Sequence, residues 1–248
     1  MIHADRPAEA RAATSHDLTL VPALLLQGPA LQPALTGRIS LGAPVVRPLS
    51  GVQAAEGDGD WGGFLESQSA HYDYLLLSLV CSFRPSPEGA PFTDAGIGIR
   101  LEAPGQPVER QPIAWSISPK KRTVPVAPSG SLALTANLMF IDAGVEFTPH
   151  EGGREELFVV GMGERDCDPE WRFTATPDTP LVGDEALALV VRTPAGAPAQ
   201  AHITVAATVR QRRFGLIPYR AELPPALRAI DLREAAPAGP VTGPAPGA

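Results

Sequence analysis

Apolar residues recur at every second position along much of the chain, the period of a strand that buries one face. In residues 71–83, Leu75, Leu77, Leu79, Cys81 and Phe83 share one side, with Leu76 and Val80 on the other, so both faces are expected to be covered. GIGIRLEA at 96–103 alternates Ile97, Ile99 and Leu101 with Arg100 and Glu102, the pattern of a half-buried antiparallel strand. The strongest segment is AHITVAATVRQRR at 201–213. There Ala201, Ile203, Val205, Ala207 and Val209 oppose His202, Thr204, Thr208, Arg210 and Arg212. Shorter strands are predicted at 113–117, 132–140, 145–147, 157–160, 171–175 and 187–192, and the PAGAP turn at 194–198 predicts that 189–205 fold as a hairpin.

Turn residues bound these runs. The 28 prolines and 24 glycines interrupt helices and imply many short elements. Two apolar runs, LTLVPALLL at 18–26 and GRISLGAPVV at 37–46, read as strands, although the first also fits a short helix beyond Pro22. LPPALRAIDL at 223–232 reads as a turn of helix or an irregular strand. The expected organisation is a flexible N-terminus at 1–17, N-terminal strands and a Gly/Asp-rich linker at 18–60, a body at 61–233 and a disordered Pro/Gly/Ala tail at 234–248. The predicted class is all-β: an antiparallel sandwich, immunoglobulin-like or alternatively a jelly roll, with a partly extended N-terminal segment.

Composition narrows the function classes. With 44% hydrophobic and 19% charged residues the chain reads as globular. Eighteen arginines against two lysines is the bias of a GC-rich bacterial genome. A net charge of −7 argues against nucleic acid, which selects a basic stripe. The first fifteen residues lack the apolar core of a signal peptide and 18–26 is too short to cross a bilayer, so a cytoplasmic protein without a transmembrane segment is expected. Cys81 and Cys167 have no zinc spacing; Cys81 reads as a core residue, with a disulfide as the weaker alternative.

Candidate chemistry is sparse. GxSxG, SxxK with KTG and HExxH are all missing, and GMGERD leads into no helix that would hold a phosphate. No catalytic residue or cofactor is therefore assigned, although His71 with Asp73, His150 and His202 leave a spatial cluster open. Asp166, Asp168 and Glu170, with Glu164, alternate as weak metal ligands, but they lack the glycine and bidentate glutamate of a calcium loop and read better as a solvated loop; so do Asp58 and Asp60. The sharpest contrast is basic: Lys120, Lys121 and Arg122, then Arg210, Arg212, Arg213 and Arg220 beside Phe214 and Tyr219 on the apparent strand 210–220. Brought together they would suit a phosphate, an anionic surface or an acidic partner; apart, they read as outward residues that blunt a sheet edge. The preferred expectation is a non-enzymatic interaction, adaptor or assembly module, contacting another protein or itself. The alternatives are ligand or carbohydrate binding through Trp61, Trp115 or Trp171, and a hydrolase without familiar motifs.

Overall fold

A computed structural model describes residues 15–23, 34–49, 59–84, 90–126, 154–211 and 215–234. Along the chain these form β1 (Ser15–Pro22), β2 (Leu35–Gly42), β3 (Val45–Pro48), α1 (Gly59–Gln68), β4 (Tyr72–Phe83) and β5 (Phe92–Glu102). A 3-10 turn (Val108–Arg110), β6 (Ile113–Ser118), β7 (Lys121–Val126), β8 (Arg154–Met162), β9 (Glu170–Thr174) and β10 (Gly183–Pro194) follow. The chain continues through β11 (Gln200–Gln211), β12 (Gly215–Glu222), α2 (Pro225–Arg228) and β13 (Ala229–Asp231). The strands expected at 132–140 and 145–147, His150, Asp58 and the trio Arg212, Arg213 and Phe214 lie outside the described residues.

The fold is all-β. Its strands join one antiparallel sheet in the order β6-β10-β4-β2-β1-β12-β11-β5-β9-β8-β7, with β13 on β11 and β3 on β4. The sheet curls until it nearly closes. Closure comes from residues 165–169, which run between β6 and β5. Arg165 N–H donates to Ala114 O (2.6 Å), Ala114 N–H to Asp166 O (2.8 Å), Leu101 N–H to Cys167 O (2.7 Å) and Ile99 N–H to Pro169 O (2.8 Å). Two opposed walls result from one folded-over sheet, because a closed ladder leaves fewer unpaired edges.

Alternation decides what fills the space between the walls. Leu75, Leu77, Leu79, Cys81 and Phe83 of β4 are buried against Ile97, Ile99 and Leu101 of β5 and the alternate residues of β11. Trp171 and Phe173 are fully buried, and Phe83 meets Phe173 edge-on at 5.2 Å between ring centres. Leu18, Leu20, Ile39 and Leu41 contribute to the same core. β1 pairs with β12, and β2 with β4, so the described N-terminal strands share this sheet.

Three local expectations need correction. The hairpin expected over 189–205 does not form: β10 pairs with β4 and β6, whereas β11 pairs with β5, β12 and β13. Alternation states which face of a strand is buried, not which strand lies beside it. The PAGAP segment instead carries the chain from one wall to the other, held by Arg233 Nε donating to Ala197 O (2.8 Å) and Leu232 N–H to Ala199 O (2.9 Å). Second, 210–220 is not one strand but the two sides of a hairpin, with Gln211 opposite Gly215. Third, the Gly/Asp-rich linker expected to run to residue 60 contains the start of α1. Its glycines hide the helix, but Trp61, Phe64 and Leu65 at i, i+3 and i+4 give it an apolar face that docks on β4.

Candidate partner-binding surface

The basic residues do not form one patch. Lys120, Lys121 and Arg122 lie where β6 passes to β7, at the two ends of the sheet order, while Arg210 and Arg220 stand on β11 and β12 near its middle. Lys120 pairs with Glu164 (2.7 Å), and Arg122 pairs with Glu185 and covers the Phe158 ring. Tyr219, expected beside the arginines as a hot-spot aromatic, is instead inside the core at 1% exposure. Burial raises its phenol pKa, and Arg38 of β2 partly offsets that shift. The inward phase of β12 dictates this: Tyr219, Ala221 and Leu223 point in, so Arg220 and Glu222 point out.

Arg220 opens onto a groove of about 1280 Å³. The groove exists because β11 changes partners. β12 pairs with 206–211 and β13 with 200–202, so among the described residues no strand lies beside 203–205 on that side. The chain detours around the gap through Leu223, Pro224 and α2. Arg84, Arg220 and Arg228 line the groove with His16, Asp17 and Glu222. Arg84 is engaged by Asp17 (2.6 Å) and Gly37 O (2.7 Å), and Arg228 donates to Leu223 O (3.2 Å). The guanidinium of Arg220 has no ion pair or hydrogen bond among the described residues, and neither has that of Arg210. Arg220 and Arg228 are close in sequence, but nothing local joins Arg84 to them, because β1 and the end of β4 reach this place only through the pairing of β1 with β12 and β2 with β4.

A second cluster covers the outer face of the wall formed by β4, β10 and β6. Trp61 and Phe64 of α1 stack at 5.3 Å, Phe64 stacks on Trp115 at 5.6 Å, and Tyr74 meets Trp61, Phe64 and Trp115 edge-on. The Arg165 guanidinium lies 3.3 Å from the Trp115 ring centre. Trp171 is fully buried. Trp61 and Trp115 thus pack within this cluster while staying partly exposed.

The remaining candidates are dispersed. His202 Nε2 is 3.5 Å from Glu102 Oε2 on an outer face, His71 is exposed in a turn, and Asp73 pairs with Arg233 (2.7 Å). Ser15, His16 and Asp17 also line the groove, where Asp17 is held by Arg84. Both cysteines are free. Burial, reinforced by Glu185 and Asp184, pushes the Cys81 thiol far above the thiol range, and burial with Asp168 and Asp166 raises that of Cys167, so neither is an activated thiolate. The acidic run 164–170 is spent on structure: Asp166 accepts the Cys167 N–H (2.7 Å), Glu170 pairs with Arg172 (2.7 Å), and the backbone closes the sheet. Among the described residues no three metal-binding side chains converge, and no helix is long and apolar enough to cross a membrane. Comparison with protein-family models gives no match, and neither does comparison with curated proteins.

Proposed function

We propose that this protein is a non-enzymatic interaction module that takes an acidic segment of a partner protein into the groove between β1, β12 and α2. The observation that carries the reading is Arg220, an exposed guanidinium without a partner, in an open groove with Arg84 and Arg228. An unpaired arginine beside a strand gap suits a carboxylate-bearing chain, because guanidinium and carboxylate make paired, charge-assisted hydrogen bonds. Arg210 stands on the same hairpin, nearer its turn and outside the groove lining. A bacterial cytoplasmic setting accompanies the proposal, supported by the arginine bias and the two free cysteines.

The test places a photo-crosslinking residue at Thr204, inside the groove, and at Glu109, on the 3-10 turn. Crosslinks to one acidic partner from position 204 alone, lost in the Arg220→Glu/Arg228→Glu variant and weakened by salt, are the expected result. Equal crosslinking from both positions, or capture that survives charge reversal, rejects the groove. A crosslinked product of twice the chain mass identifies a second copy as the occupant.

A further inference from the structure

The aromatic cluster outside β4, β10 and β6 holds two arginines, Arg165 and Arg192. Arg165 reaches the Trp115 ring centre at 3.3 Å, and Arg192 lies 5.0 Å from the same centre and 4.6 Å from that of Tyr72. Neither makes an ion pair among the described residues. Two like charges converging on one indole repel each other, and cation–π contacts at an exposed site offset only part of that. Backbone conformation adds a second mark: Arg165 has φ of 72°, the left-handed region that non-glycine residues rarely occupy. Beneath the arginines is Tyr74, directly opposite Arg192 in the β4–β10 ladder and 3% exposed, whose buried hydroxyl has no hydrogen-bond partner. Its electrostatic neighbours are Arg192, Arg165 and Tyr72, with no carboxylate among them.

We propose that Arg165, Arg192 and the Tyr74 hydroxyl form a binding site for a phosphate-type oxyanion. A dianion between the guanidiniums removes their repulsion, accepts charge-assisted hydrogen bonds from both, and supplies the acceptor that the Tyr74 O–H lacks. Arg165 is exposed, so its side chain swings off Trp115 to admit the anion without disturbing the core. Phe64 stacks on Trp115 and fixes the ring that both arginines approach. The site is independent of the groove at Arg220.

Inorganic phosphate is the probe, and the fluorescence of the full chain, to which Trp115 contributes, is the readout. A saturable change that chloride at matched ionic strength does not reproduce is expected, with acetate at least about tenfold weaker because it brings one charge. Arg165→Gln and Arg192→Gln each weaken binding by about tenfold or more. Tyr74→Phe separates binding from structure: it removes an unsatisfied buried hydroxyl, so the melting temperature holds or rises, yet phosphate binding falls about threefold or more. Should Arg192→Gln fail to fold, the exposed Arg165→Gln and the near-isosteric Tyr74→Phe still decide the matter. No saturable response, equal affinity for acetate, or a response unchanged in Arg165→Gln and Tyr74→Phe, which means an adventitious ion only, overturns the proposal.

Discussion

Gly161 shows how tightly single positions are constrained where β8 passes the turn between β6 and β7. A Cβ there would lie 2.5 Å from Pro119 O and 3.3 Å from the Ile117 side chain, so Gly161→Ala forces backbone apart and costs about 1–3 kcal/mol, read as a lower urea midpoint at unchanged slope. Thiol titration gives a second check. Cys81 is fully buried and its thiol is held protonated, whereas Cys167 is only partly covered; native protein at pH 8 should label slowly at Cys167 alone, and denatured protein at both. Single positions were legible in the sequence where alternation spoke. Cys81, Ile97, Ile203 and Val205 are buried as their phase requires. Tyr219 is buried although Arg220 adjoins it, because phase, not neighbourhood, decides burial on a strand. Arg84, Arg165 and Arg192 carry no sequence signal, since each gains its role from residues far along the chain.

At the scale of elements, α1 is the least self-sufficient piece. Ten residues with three glycines cannot hold a helix by propensity, so its stability comes from seating Leu65 and the Trp61/Phe64 stack on the sheet. Gly63 faces open space, and Gly63→Ala should stabilise the protein by about 0.5–1 kcal/mol by reducing the freedom of the unfolded chain. Leu65→Ala should cost about 2–5 kcal/mol and loosen the Trp61 environment, seen as a red-shifted, more quenchable fluorescence. The strands were readable because their period is 2 and their turns are marked by glycine and proline. Their partners were not, since a strand pattern is compatible with many neighbours. This is why a hairpin expected over 189–205 turned out to be a crossing between walls, and why the true hairpin, β11 with β12, was hidden inside a run that looked continuous.

The whole molecule depends on an irregular strap for its closure. Residues 165–169 replace a regular strand between β6 and β5, and Gly163 starts the strap with φ of 82° and no room for a side chain, a Cβ falling 2.7 Å from Pro169 Cα. Gly163→Ala should therefore destabilise the entire sheet cooperatively, in one transition by fluorescence and circular dichroism alike. Stability should also fall in base. The thiols of Cys81 and Cys167 and the phenols of Tyr74 and Tyr219 all have raised pKa in the folded state, so the unfolded chain gives up these protons first. Their contribution is intact below the ordinary thiol and phenol values, 9.0 and 10.0, and is lost as pH rises through and beyond them. Urea midpoints should drop between pH 8 and 10.5, less steeply in Cys81→Ala. The pairing of β1 with β12 sets a clock of its own. Thr19 must wait for Glu222, some two hundred residues later in synthesis. At ribosomal rates of about 5–20 residues per second, β1 spends roughly 10–40 s without its second neighbour. During that interval the nascent chain carries an apolar strand with an open edge, so the protein's yield in a cell is governed as much by what shields that edge on the ribosome as by the stability of the finished sheet.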